Sequence, residues 1–352
     1  VLKNNRRRAA ILGLTAVAGL TLSACPEGGS NSELQGEGAT SQQRAMDLFA
    51  TLFESNSSGS TLSYNATGSG SGQSQFLAKT VAFAGSDSPL KDDQIEKAKE
   101  RCGGNDAWHL PMVIGPVAIA YNLKGVDVAL SPSVTAKIFD GQITKWNDPA
   151  IAELNKGVDL PDTDISVVYR SEESGTTDNF MKFLSSAAPE DWKHKASKSF
   201  PTAHGQGANG SAGVVDQVAQ IPGAITYVEA GFAKDKELGV AKMDFGHGPV
   251  ELTADTVGAA LDKVKFKSEG NDMVVDSDAL FGMDEAGAYP LVLTTYEIVC
   301  SAGYDEGTRD LVKSFFKTVL EKGQTKELED LGYIPVQGEF KQKLSDAVDA
   351  IK

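Results

Sequence analysis

Three stretches of this sequence place small hydroxyl and glycine residues where a helical pattern begins: Gly38-Ala39-Thr40-Ser41, Gly68-Ser69-Gly70-Ser71-Gly72 and Ser174-Gly175-Thr176. The first turn of a helix carries backbone N–H groups without internal partners and a partial positive charge, so such an end can hold an anion. Small residues let a ligand reach the backbone, and hydroxyls add donors that carry no charge. Ordinary capping by Ser and Thr explains any one of the three taken alone. Two short strands nearby run into charged residues: one stops at Gly85-Ser86-Asp87-Ser88-Pro89, the other at Arg170, with Glu172 two positions on. The four histidines, His109, His194, His204 and His247, lack clustered ligand spacing, so no metal centre is expected.

The elements around these stretches alternate between helical and extended patterns, the signature of α/β architecture. A first helix is expected from about Ser41 to Glu54, with Met46, Phe49 and Phe53 on one face and Thr40 or Ser41 as its cap. A strand near Leu62 to Tyr64, a helix over Gln73 to Lys79 and a strand over Val81 to Ala84 follow. Ile165 to Tyr169 alternates as a strand, and the helix opened by Ser174 carries Phe180, Phe183 and Leu184. Leu110 to Asn122 and Tyr289 to Val299 are nearly continuous apolar runs, each readable as a crossing between lobes or as a buried strand of a single domain. Gly205 to Gly210 formally fits a dinucleotide fingerprint but reads better as a loop before a helix from about Ser211 to Gln220. Trp108, Trp146 and Trp192 read as packing residues, and Lys193 to Lys198 as a solvated helix face.

With 352 residues, 41% of them hydrophobic, the chain is long enough for about two domains. Its formal net charge is −15, and the first 24 residues hold Lys3, Arg6, Arg7 and Arg8 with no acid, so the remainder is more acidic still. Such a body repels nucleic acid. The basic start leads into an uncharged run from Ala9 to Ala24, too short to span a membrane but suited to a signal peptide. Leu22-Ser23-Ala24-Cys25 resembles the lipobox of bacterial lipoproteins, in which the cysteine is acylated and heads the mature chain. Lipidation of Cys25 would leave Cys102 and Cys300 as an even pair in an oxidising compartment, where a disulfide is expected; two buried free thiols are the alternative. Pro26 to about Gly38 is rich in Gly, Ser and Glu and reads as a flexible tether.

Several blocks, in order, resemble the phosphate-binding subunit of bacterial phosphate ABC transporters: Gly38-Ala39-Thr40, the Gly68 to Gly72 run, Ala84 to Leu90, Ile143 to Pro149, Arg170 through Thr176, and Pro222 to Val228. The resemblance implies a type II periplasmic-binding-protein fold with two lobes joined by a two-segment hinge. Its organisation would be a signal peptide over 1–24, a tether over 25–38, lobe I over 39–113 plus 291–352, and lobe II over 114–290. Phosphate contacts carry over onto Thr40, the backbone at Ser41, Ser69 and Asp87 from the first lobe, and onto Arg170, Ser174, Gly175 and Thr176 from the second. Glu172 would orient Arg170. Two positions depart from the family's usual pattern: Ser41, where an aromatic residue is frequent, and Glu172, where Asp is.

The resemblance implies a monomeric binding protein, lipid-anchored on the extracytoplasmic face, that captures inorganic phosphate without a cofactor and passes it to membrane permease subunits. Asp87 would read the proton that phosphate carries and sulfate lacks. Two other readings remain at this point. One is a binding protein for another tetrahedral oxyanion; the other is a secreted phosphate-ester hydrolase with Ser174 or Asp87 as nucleophile.

Overall fold

Strand pairing in this chain is governed by a few apolar runs too long or too buried to lie on a surface. The structure, a computed structural model, describes residues 32–352 apart from 58, 202 and 203. The signal-peptide segment, the lipidation site Cys25 and the start of the tether lie outside the described residues. The strands are β1 (Ser32–Gly38), β2 (Ser60–Ala66), β3 (Phe83–Ser86), β4 (Ala107–Tyr121), β5 (Ala129–Leu130), β6 (Ser166–Arg170), β7 (Gln206–Ala208), β8 (Ala224–Glu229), β9 (Gly239–Val240), β10 (Lys242–Asp244), β11 (Pro249–Val250) and β12 (Val292–Cys300). A mixed sheet runs β2-β1-β3-β12-β4-β8-β6-β7, with β9 added to β4, and β11-β10-β5 form a smaller sheet. The α/β expectation holds.

β4 is the pivot of this arrangement. Its Ala107 to Pro116 segment pairs antiparallel with β12, whereas Val117 to Tyr121 pairs antiparallel with β8. The partner changes at Gly115-Pro116, where proline has no N–H for a ladder. A second proline, Pro111, lies opposite Tyr296, and the register slips there between Thr295 and Tyr296. Both β4 and β12 are buried almost throughout, which explains why their sequences read as continuous apolar runs. The strands β1, β2 and β6, each in a parallel pair, are followed by the helices Gln43–Asn56, Ser69–Leu77 and Gly175–Ala187.

Three local expectations are corrected. The tether does not extend to Gly38, because Ser32–Gly38 is β1, paired with β2 and β3. Its glycine content disguised an alternation in which Leu34, Gly36 and Gly38 point inward; a side chain at Gly36 would collide with the Phe83 ring. The first helix spans Gln43–Asn56 with Gln42 at the N-cap and no side-chain cap bond, so neither Thr40 nor Ser41 caps it. Their hydroxyls are engaged elsewhere. Lys193 to Lys198 is not a helix face either: the stretch is irregular and Lys198 is buried. Trp146 and Trp192 are buried, as expected of packing residues.

Cys102, after the helix Asp92–Arg101, and Cys300, at the end of β12, form a disulfide with Cα atoms 5.4 Å apart and a sequence separation of 198. Both cysteines are fully buried, and the Arg101 guanidinium next to them lies 4.3 Å from the Phe76 ring centroid. A bridge closing so long a loop limits the unfolded chain strongly, by roughly 2–5 kcal/mol. Replacing both cysteines by serine is therefore expected to lower the urea midpoint by a corresponding amount. An unchanged midpoint would show that the bridge contributes nothing to stability.

Candidate functional site

The three glycine- and hydroxyl-rich starts converge, and a fourth joins them. Thr40 and Ser41 precede the helix Gln43–Asn56; Ser69 opens Ser69–Leu77; Ser174 is the N-cap of Gly175–Ala187; Gly210 and Ser211 open Gly210–Gln220. Thr40 Oγ1 lies 3.2 Å from Ser211 Oγ and accepts from Ser211 N at 3.1 Å. Ser69 Oγ accepts the Asp87 N–H at 3.1 Å. Thr40, Ser41, Ser69, Asp87, Arg170, Ser174 and Thr176 are all buried. Gly175 lies against Ser69 and Asp87, and Ser174 precedes it in the chain.

Arg170 ends β6 and is 2% exposed, so its charge must be met by fixed partners. Its Nε donates to Glu172 Oε1 at 2.6 Å, and Nη2 donates to the same oxygen. Glu172 is held in turn by the Gly210 N–H, which donates to Oε2 at 3.2 Å. The rest of the guanidinium faces hydroxyls: Nη1 donates to Thr176 Oγ1 at 3.1 Å and to Ser211 Oγ at 3.2 Å, and Nη2 to Thr40 Oγ1. The fork is thus oriented by one carboxylate and aimed at neutral groups.

Asp87 lies just beyond β3. Its Oδ1 accepts from Ser41 Oγ at 2.6 Å and from Thr295 Oγ1 at 2.7 Å, while Oδ2 has a longer contact, 3.3 Å, with Ser69 Oγ. One oxygen is saturated and the other has capacity to spare. Burial, then the nearby Glu229 charge, push the Asp87 pKa up from 3.8 to about 6, against the Ser41 and Thr295 hydrogen bonds and Arg170, which pull it down. Glu297 on β12 is fully buried, and burial holds its pKa well above the usual carboxylate range, against the pull of Gln42 beside it.

The backbone at Gly175 comes so close to this carboxylate that a side chain would collide with it. A Cβ there would clash with Ser69 Oγ and lie 2.6 Å from Asp87 Cβ. Alanine suits the first turn of a helix better than glycine, so Gly175→Ala leaves its own helix sound and clashes with Ser69 and Asp87 instead. The variant is expected to bind the ligand at least about tenfold more weakly. Calorimetric titration checks this, and an unchanged affinity would remove Gly175 from the binding site.

Ser211, Gly210, Thr295, Glu229 and Asn179 were missed from sequence. Ser211 carries the same glycine-then-hydroxyl helix start as the others. Thr295 is hidden in an apolar strand, and Glu229 ends another, with Oε1 accepting from Thr176 Oγ1 at 2.7 Å and Oε2 unpartnered. Asn179 Nδ2 donates to the Asp87 carbonyl at 2.6 Å. Among the described residues no group of His, Cys, Asp or Glu has metal-site geometry. A cavity of about 570 Å³, lined by Ile114, Phe266, Ile334 and Phe340 among others, contains none of these site residues.

The PBP superfamily domain matches residues 24–321. Phosphate-binding protein PstS 3 of Mycobacterium tuberculosis is 41% identical, over 99% of this chain and 100% of its own length. PstS 2 of the same organism is 42% identical over 98% and 99%. Among solved structures, a high-affinity periplasmic phosphate-binding protein bound with phosphate (PfluDING) matches with a TM-score of 0.74 at 24% identity, covering 89% of this chain and 93% of that one. A phosphate-binding protein from Stenotrophomonas maltophilia matches with a TM-score of 0.69 at 23% identity, covering 90% and 93%. The structural matches share the fold, the sequence matches run the length of the chain, and the chain belongs to the PstS phosphate-binding protein family.

Proposed function

We propose that this protein binds inorganic phosphate between two lobes on the extracytoplasmic face of the membrane and delivers it to the permease subunits of a phosphate ABC transporter. One observation supports this above the rest: a buried arginine and a buried carboxylate share a cluster of uncharged hydroxyl and amide donors. Thr40, the Ser41 backbone, Ser69, Ser174, Gly175 and Thr176 would supply donors to the oxygens, and Arg170 the fork. Asp87 Oδ2 would take the phosphate proton. Lobe I would comprise the β1, β2 and β3 side together with β12, and lobe II the β6, β7 and β8 side. β4 and the chain near Pro290 would serve as the hinge. Ligand contacts from both sides favour the closed form over the open one, which lets a transporter distinguish loaded from empty protein.

Removal of residues 1–24 and acylation of Cys25 would tether the protein, each buried methylene adding about 0.8 kcal/mol. An unmodified Cys25 in the mature N-terminal peptide, read by mass spectrometry, would remove the anchor. Calorimetric titration with phosphate and sulfate tests the main reading. Tight phosphate binding with sulfate weaker by orders of magnitude is expected; equal binding would point to a general oxyanion carrier. Turnover of a chromogenic phosphate ester would point to a hydrolase.

A further inference from the structure

Lys198 is buried, a rare place for a lysine, and no part of the phosphate cradle needs its charge. Burial depresses its pKa, with Asp178 and Glu173 opposing that and Lys91 and Lys182 adding to it. Its backbone belongs to one side of the cleft, where its carbonyl accepts the Ser174 N–H at 2.9 Å. Its ammonium crosses to the other side and donates to Gln73 Oε1 at 2.5 Å. Gln73 is fully buried in the helix that Ser69 opens.

An ammonium can only donate, so the Gln73 oxygen must face Lys198 and its amide nitrogen must face the other way. That nitrogen donates to Ser86 Oγ at 2.9 Å and to the Ser88 carbonyl at 2.8 Å, the two neighbours of Asp87. The same turn is held by Ser88 Oγ donating to Asp178 Oδ2 at 2.6 Å and by Asn179 on the Asp87 carbonyl. Lys198, Asp178 and Asn179 all come from the half of the molecule opposite Asp87.

We infer that Lys198 is a positioning residue for Asp87, acting through Gln73 and only when the cleft is closed, so that the proton-reading carboxylate is fully seated by closure itself. The inference rests on the phosphate reading above. It assigns selection to the closed form: an open cleft would hold phosphate and sulfate by donors common to both, and closure would set the acceptor that only phosphate can satisfy. A different contact between the two halves, Arg44 to Asp235 at 3.0 Å, lies away from the Asp87 turn and provides a comparison.

The test measures phosphate by calorimetry and sulfate by competition in Lys198→Met, Lys198→Arg and Arg44→Ala. Lys198→Met keeps the stem and removes the donor; both anions lose a closure contact, and phosphate affinity should fall roughly tenfold or more beyond the fall for sulfate, narrowing the ratio between them. Lys198→Arg restores most of the ratio, and Arg44→Ala weakens both anions by the same factor. Should Lys198→Met prove unfolded by circular dichroism, Gln73→Leu, which breaks the same relay from the other side, carries the same expectation. A folded variant that lowers both anions equally, or neither, overturns the inference. Failure of the unaltered protein to bind phosphate overturns the functional reading instead.

Discussion

Arg170→Ala should abolish tight phosphate binding, lowering affinity by at least about a hundredfold in calorimetric titration at neutral pH. The guanidinium is 2% exposed and its Nη atoms face Thr40, Thr176 and Ser211, so a ligand placed among these groups meets it with water excluded. Removing one member of a buried, hydrogen-bonded charge pair costs about 2–5 kcal/mol, and each 1.4 kcal/mol is tenfold in affinity. A second consequence separates this residue from a surface ion pair. Glu172, 11% exposed in the intact pair, would keep the Gly210 N–H as its remaining partner among the described residues, an uncompensated charge that destabilises the ligand-free protein too. Arg170→Lys keeps the charge without the fork and should fall between the two. Unchanged phosphate affinity in a folded Arg170→Ala variant would place the ligand elsewhere.

What the sequence made legible here follows from the range of the interactions concerned. β6 and the helix after Ser174 were readable because strand alternation and an N-cap are local, and Ser174 does accept from the Thr177 N–H at 3.2 Å. β1 was not, because two of its three inward positions, Gly36 and Gly38, are glycines whose role appears only against Phe83 and Gly85 of another strand. The first helix start was displaced by two residues for a related reason: Thr40 and Ser41 have the chemistry of caps, but Ser41 donates to Asp87 and Thr40 meets Arg170 and Ser211. The resemblance implied only a backbone role at Ser41, while the side chain there supplies one of the two hydroxyls on Asp87 Oδ1. Thr295 supplies the other from a strand 208 residues away, and no local pattern in an apolar run marks such a residue. Lys198 was misread for the opposite reason: charge predicts exposure, whereas its ammonium is buried against Gln73, 125 residues away in the sequence.

Asp87→Asn is expected to separate selectivity from stability in opposite directions. Asparagine can keep an acceptor toward Ser41 and Thr295, the two hydroxyls that saturate Oδ1, but it turns the Oδ2 position into a donor. Phosphate then loses the acceptor for its proton, whereas sulfate gains a donor where it had faced a carboxylate. The ratio of the two affinities should narrow by at least about a hundredfold, since a charge-assisted hydrogen bond contributes about 1.5–3 kcal/mol and the unpaired carboxylate adds a penalty of its own. The ligand-free protein should move the other way. Burial raises the folded pKa of Asp87 from 3.8 to about 6, so between those values the folded state binds more protons than the unfolded one. Stability from this group therefore falls as pH rises through that window, and above it the ionised side chain costs about 3 kcal/mol. The substituted amide carries no such charge. Denaturation of ligand-free protein should thus show the variant more stable near pH 7.5 and the difference shrinking toward pH 4, while titrations with the two anions show discrimination lost. A variant that still rejects sulfate would take the proton-reading role away from Asp87, and one no more stable at neutral pH would show that burial does not hold the carboxylate at a cost in the ligand-free protein.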